Sequence, residues 1–311
     1  MSSGGRSHTA PPASDRTPVS LPRLAEMKAA GEPIVMVTAY DYPSAMVAEE
    51  AGVDVVLVGD SAAMVVLGYP GTEPVSMDEM IVLGKAVRRG LETPLMVGDL
   101  PMGSYEASNE LAVANAQRLV KETGCQTVKL EAGGTSVERA RAIINAGIPV
   151  MGHVGLTPQT ATALGGYKAQ GKSAKAAIKI FEEALALQSV GCFAVVLEAV
   201  PAAVTEAIVE RLEVPTIGIG AGPATSGQVL VFHDLLGITT GRTAKFVKRY
   251  AEVHDSMVGG VREYVDEVRH RRFPEAEHVY GVEPQELAEL RRYLDQESLT
   301  SQKAWDWEPL S

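Results

Sequence analysis

Seven times between Ile34 and Gly222, a short apolar run closes on a polar residue or a glycine and the chain turns away. The runs are Ile34–Thr38, Val53–Val58 (closing on Gly59-Asp60-Ser61), Pro94–Val97 (on Gly98-Asp99), Thr127–Glu131, Ile148–Met151 (on Gly152-His153), Phe193–Leu197 (on Glu198) and Val214–Ile219 (on Gly220-Ala221-Gly222). Successive closing residues lie 22, 39, 32, 22, 45 and 22 residues apart, each gap long enough for a crossover helix. Strands alternating with helices predict a parallel sheet. An eighth run, Val229–Asp234, is less regular, and Val253–Arg271 supplies a closing helix. Eight units in roughly 250 residues predict an α/β fold of the (β/α)8 TIM-barrel type. No GxGxxG follows the first run, which argues against an open dinucleotide-binding sheet.

Between the runs, helices are predicted over Leu21–Gly31, Pro43–Ala51, Met77–Arg89, Asn109–Glu122, Ser136–Asn145 and Ala174–Val190, and Pro201 opens another at its first position. In Ala174–Val190, Ile178, Phe181 and Leu185 share one face. Residues 1–20, rich in Ser, Pro and Gly, read as a disordered N-terminal arm, and residues 21–275 as the catalytic barrel. Residues 276–311 read as an acidic C-terminal tail, partly helical or disordered. Pro284–Gln296 there aligns Leu287, Leu290 and Leu294, and both tryptophans, Trp305 and Trp307, come near its end.

Lys129 and Glu131 sit two apart in one run, so both charges point to the same face of a strand. Parallel strands are normally apolar on both faces, and a charge there is costly unless it is paired or holds a metal. In a barrel, the C-terminal strand ends carry the chemistry. Asp60, Asp99, Glu131 and Glu198 fall at such ends, joined by His153 and Lys129. Taken singly, Asp60 or Asp99 also suits a helix N-cap, His153 a hydrogen-bonded core position, and Lys129 with Glu131 a buried ion pair. Taken together, four converging carboxylates repel one another and call for a cation. Oxygen ligands without cysteine favour Mg²⁺ over Zn²⁺. That set suits metal-assisted chemistry on a small anion: the metal polarises a carbonyl, Lys129 offsets the anion's charge and the separate carboxylate moves a proton.

The net charge of −11 and pI of about 5.1 argue against nucleic acid as a partner. Cys125 and Cys192 are the only cysteines and form no CxxC pair, which suits a reducing cytoplasm. No apolar run reaches membrane-spanning length, and the first twenty residues lack the apolar stretch of a secretory signal.

Eight ordered segments resemble one family: Thr38–Asp41, Val58–Ser61, Asp99–Pro101, Val128–Glu131, Gly152–Gln159, Gly165–Lys168, Leu197–Pro201 and Ile217–Gly222. They are similar to the ketopantoate hydroxymethyltransferases over about residues 21–275. The resemblance implies a (β/α)8 barrel that uses Mg²⁺ and moves a one-carbon unit from 5,10-methylenetetrahydrofolate to 3-methyl-2-oxobutanoate, giving 2-dehydropantoate on the way to pantothenate and coenzyme A. It implies a metal site at Asp60, Asp99 and Glu131. It also implies ketoacid contacts at Asp60, Ser61, Asp99 and Lys129, a site histidine at His153 and a proton acceptor at Glu198. It further implies a homodecamer. Two rivals remain at this stage: another Mg²⁺-dependent ketoacid lyase or mutase barrel, and a ketoacid-binding barrel without catalysis. The first typically carries a catalytic cysteine in a Lys-Lys-Cys-Gly-His type segment, which this sequence lacks.

Overall fold

The computed structural model describes residues 16–300 other than Arg242. It comprises a first compact unit running to His254 and a second beginning at Asp255. The first unit is built on eight parallel strands: β1 (Ile34–Thr38), β2 (Val55–Val58), β3 (Leu95–Asp99), β4 (Thr127–Glu131), β5 (Val150–Gly155), β6 (Ala194–Glu198), β7 (Thr216–Ile219) and β8 (Gly227–Leu230). They pair in sequence order, and β8 returns to β1 to close the barrel. Helix α1 (Leu21–Ala30) precedes the first strand, and α2 (Tyr42–Ala51), α3 (Ala62–Val65), α4 (Met77–Arg89), α5 (Asn109–Thr123), α6 (Ser136–Asn145), α7 (Ala174–Ser189), α8 (Ala202–Val209) and α9 (Phe232–Leu235) lie between or after the strands. No helix joins β7 to β8; residues 220–226 make that crossover alone.

The helices start and stop where local chemistry directs. Ser76 and Glu79 form a capping box at the head of α4, and Asp41 with Ser44 does the same for α2. Gly31, Gly52 and Gly124 end α1, α2 and α5 in the left-handed conformation. Two apolar layers result. Met36, Val55, Leu57, Val97, Met151, Val196 and Ile217 belong to one, and Val56, Met96, Val128, Val150 and Val195 pack with helical residues such as Met80, Leu119, Ile143 and Leu187 in the other. Period-two alternation within each strand divides the residues between them.

Three local expectations are corrected. The eighth strand is Gly227–Leu230, not Val229–Asp234. Gly227 is required because a Cβ there would meet the Ile34 carbonyl at 2.3 Å, and the strand ends because the Phe232 N–H is captured by Thr38 Oγ1 at 2.8 Å, opening α9. Helix α7 buries Ile180, Ala184 and Leu187, leaving Ile178 and Leu185 exposed. Its stretch is apolar on more than one face, and Leu187 wins because it seats over Gly152, where a Cβ would lie 2.7 Å from its Cδ1. Pro201 is the N-cap of α8 rather than its first residue.

Residues 1–15, most of the expected arm, lie outside the described residues, as do Trp305 and Trp307. Val19 N–H donates to Thr93 O at 2.8 Å, and the Arg16 guanidinium donates to Glu49. The second unit holds all but the first two residues of α10 (Val253–Arg269), a 3-10 turn at Ala276–His278 and α11 (Pro284–Thr300).

Candidate active site

The residue register of the barrel places the charges. Asp99 on β3 pairs with Lys129 on β4, and Glu131 on β4 pairs with His153 on β5. Gly155, at the end of β5, pairs with Glu198 on β6. Asp60 follows β2 directly. Asp60, Asp99, Lys129, Glu131, His153 and Glu198 all line one cavity of about 1190 Å³ at the C-terminal strand ends. Ser61 lines it too, its Oγ 2.8 Å from the Tyr40 hydroxyl. Every site residue singled out from the sequence is therefore brought to one place. Neither Asp60 nor Asp99 caps a helix: Ser61 and Ser108 hold those positions for α3 and α5.

Two groupings divide the cavity. In the first, Lys129 Nζ donates to both oxygens of Asp99, at 2.7 and 2.8 Å, with both side chains buried. The Asp60 N–H donates to Asp99 Oδ2 at 3.2 Å, and Gln159 Nε2 donates to Asp60 Oδ2 at 2.9 Å. Burial, then the Asp99 charge, pushes the Asp60 carboxyl well above the usual carboxylate range. Burial would lower the Lys129 ammonium, but Asp99 and then Asp60 outweigh it and hold it raised.

In the second grouping His153 stands between two carboxylates. Nδ1 is 3.5 Å from Glu131 Oε1 and Nε2 is 3.2 Å from Glu198 Oε2. Both contacts are close enough for ion pairing but outside hydrogen-bond geometry. Burial pulls the imidazole down; Glu131 and then Glu198 outweigh that pull and raise it to about 9. Glu198 is the most accessible of the charged set at 15% side-chain exposure, against 1–5% for Asp99, Lys129, Glu131 and His153. The chain just beyond it is strained, with Ala199 at φ 50.

Among the described residues, no group of three or more His, Cys, Asp or Glu side chains is arranged to hold a metal ion. Glu131 Oε2 accepts the Gln159 N–H at 3.0 Å, while its buried Oε1 faces His153 without a hydrogen-bond partner. Asp60, Asp99 and Glu131 are the carboxylates that would hold a cation, and Mg²⁺ typically takes one or two carboxylates and fills its other positions with water and substrate oxygens. The mutual repulsion that raises Asp60 is the kind a hard cation relieves, so the donor chemistry fits.

Sequence patterns did not point to Tyr40, Thr72, Tyr105 or Gln159. Thr72 is buried, lines the cavity, and its hydroxyl has no partner. The Tyr105 hydroxyl donates to Gln159 Oε1 at 2.7 Å. Only Tyr40 and Gln159 carried a signal, through their places in the segments Thr38–Asp41 and Gly152–Gln159. The glycines at 218–222 serve packing: a Cβ on Gly220 would meet the Phe246 ring at 2.4 Å, and one on Gly222 would meet Ala202 at 2.6 Å. The apolar stretch after Ser61 forms α3, and Met64 and Val65 turn to the cavity wall.

An eight-stranded parallel barrel with paired acids, a lysine and a histidine at its C-terminal strand ends defines a (β/α)8-barrel enzyme. Solved structures share the fold. A phosphonopyruvate hydrolase complex with oxalate and Mg⁺⁺ superposes with a TM-score of 0.55 at 13% identity, covering 92% of this chain and 99% of that one. A 2,3-dimethylmalate lyase of the PEP mutase/isocitrate lyase superfamily gives 0.53 at 14%, covering 93% and 100%. The ketopantoate hydroxymethyltransferase family model matches residues 18–276, and the chain belongs to that family. The 3-methyl-2-oxobutanoate hydroxymethyltransferase of Carboxydothermus hydrogenoformans is 52% identical over 276 residues, which are 89% of this chain and 99% of that protein. The enzyme of the same name from Moorella thermoacetica is 55% identical over 265 residues, 85% and 98% of the two chains.

Proposed function

We propose that this chain transfers a hydroxymethyl group from 5,10-methylenetetrahydrofolate to 3-methyl-2-oxobutanoate, giving 2-dehydropantoate, with Mg²⁺ held by Asp60, Asp99 and Glu131. The observation that carries this reading is the division of one cavity into a cation-ready acidic side beside Lys129 and a separate, accessible carboxylate, Glu198, across from it. A bound Mg²⁺ supplies positive charge beside the keto oxygen, which makes the neighbouring C–H more acidic. Lys129 and Ser61 orient the ketoacid carboxylate. Glu198 takes the proton from C3, and His153, with Nε2 3.2 Å from Glu198 Oε2, holds that carboxylate in place. C3 then bonds to the methylene carbon of the folate, and water supplies the hydroxyl as tetrahydrofolate leaves. Glu131 stands beside His153 and would complete the acidic side of the cation site.

A volume of about 1190 Å³ exceeds the roughly 300–1,000 Å³ of one small-molecule pocket, which supports room for two substrates. A homodecamer in the cytoplasm belongs to the same proposal; no helix among the described residues is long and apolar enough to cross a membrane. The test is product formation from the two substrates with Mg²⁺ and then with EDTA. Metal-dependent 2-dehydropantoate supports the reading, and folded protein that makes none with Mg²⁺ present overturns it. Glu198→Gln should abolish exchange of the C3 proton with deuterium oxide; near-normal exchange would remove Glu198 as the base.

A further inference from the structure

After β5 the chain makes a single 3-10 turn, Pro158–Thr160, that buries Gln159 to 3% exposure. A buried amide must satisfy two donors and an oxygen acceptor. Gln159 does so on Asp60, which lines the cavity, and on Leu100 and Tyr105. Nε2 donates to Asp60 Oδ2 at 2.9 Å and to Leu100 O at 3.0 Å, and Oε1 accepts from the Tyr105 hydroxyl at 2.7 Å. The Gln159 backbone N–H donates to Glu131 Oε2 at 3.0 Å.

The network fixes which way the amide points. Tyr105 Oη accepts the Glu131 N–H at 3.3 Å, so its own proton goes to Gln159 Oε1. The other end of the amide meets two acceptors and must be the NH₂ group. One oxygen of Asp60 is thereby occupied and its plane set, and one oxygen of Glu131 is occupied likewise. Asp60 Oδ1 is left for a ligand. Glutamine does this without charge: a lysine or arginine in its place would neutralise Asp60 and compete with a cation.

We infer that Gln159, held by Tyr105, is a positioning residue that orients Asp60 and Glu131 for cation binding; the inference rests on the function proposed above. Outer partners of metal-ligating groups commonly govern affinity by about 10- to 100-fold. The test uses full-length protein, Mn²⁺ as the probe, and calorimetric titration without substrate. Gln159→Leu keeps the volume and removes the side-chain donors to Asp60 and Leu100, while the backbone N–H on Glu131 stays. It should fold, bind Mn²⁺ about 10- to 100-fold more weakly, and recover near wild-type kcat when Mn²⁺ is raised to saturation, which a collapsed site would not do. Tyr105→Phe should shift the Mn²⁺ Kd in the same direction by less, and the double variant should be no weaker than Gln159→Leu alone, because both act through one amide. Wild-type Mn²⁺ affinity in Gln159→Leu overturns the inference. If that variant does not fold, an unchanged Kd in Tyr105→Phe overturns it equally. Wild-type protein that binds no Mn²⁺ overturns the function proposed above and this inference with it, whereas wild-type binding that Gln159→Leu leaves unaltered overturns this inference alone.

Discussion

Replacing Gly155 with alanine tests how Glu198 is aimed. Gly155 ends β5 at φ +95, in register with Glu198. A Cβ at this position would lie 2.4 Å from the Glu198 carbonyl oxygen and 2.8 Å from Val200 Cγ2. Heavy atoms rest near ~3.5 Å, so relief requires a backbone shift on the order of 1 Å at the residue that carries the base. The positive φ costs a Cβ-bearing residue about 1–2 kcal/mol. Overpacking adds about 1–3 kcal/mol. A stiffer unfolded chain offsets less than about 1 kcal/mol of that. At roughly 2–4 °C per kcal/mol for a large domain, the melting temperature should fall by about 2–20 °C. A misplacement of that size costs about 100-fold in rate. The assay pairs thermal unfolding with exchange of the C3 proton of 3-methyl-2-oxobutanoate in deuterium oxide. Gly147→Ala is the control: its φ is +89, but its Cβ would meet nothing within 4 Å, so it carries the backbone strain alone. Gly155→Ala that melts like Gly147→Ala and exchanges at the wild-type rate would refute the reasoning.

Lys129→Met should destabilise the metal-free protein by roughly 3–5 kcal/mol, because it strands the buried Asp99 carboxylate; denaturant unfolding in EDTA measures this. Burial would raise the Glu49 carboxyl, yet hydrogen bonds from the Thr93 side chain and from the backbones of Thr93 and Glu92, with Arg16 nearby, hold it below the usual range. A depressed folded pKa adds stability above the unfolded value and loses it as pH falls through the folded one. The melting-temperature gap between wild type and Glu49→Gln should therefore be widest above pH 4.5 and close as the pH drops further. Cys125 and Cys192 are buried and burial raises both thiols, Cys192 to about 12. A disulfide-exchange reagent at pH 7.5 should label neither until the protein is unfolded.

The barrel was legible because a parallel strand buried on both faces must be a short apolar run; β1 to β4 and β6 end at or within two residues of a polar one, β7 ends against Gly220, and β5 alone runs on past its polar residue His153 to Gly155. The core charges were legible for the same reason: Lys129 and Glu131 interrupt a run at period two, and period two puts them on one face. β8 was blurred because Gly227 and Gln228 have neither the bulk nor the polarity pattern of a strand, and what makes them one is close approach to Ile34. The face of α7 was set by a glycine on a different strand, which periodicity within the helix does not reveal. Gln159 and Tyr105 stayed hidden for a related reason. An uncharged amide and a phenol in loops carry no spacing signal, and their meaning comes only from three loops converging.

The pairing of β8 with β1 also sets a timetable for synthesis. Those strands are roughly 190 residues apart, so at about 5–20 residues per second β1 waits on the order of 10–40 s on the ribosome for its partner. Until then the nascent sheet has two unsatisfied margins, one along β1 and one along β7, each able to recruit a neighbouring chain. The seven-residue link that replaces a helix before β8 shortens this exposed interval, because the closing strand is translated almost immediately after the seventh.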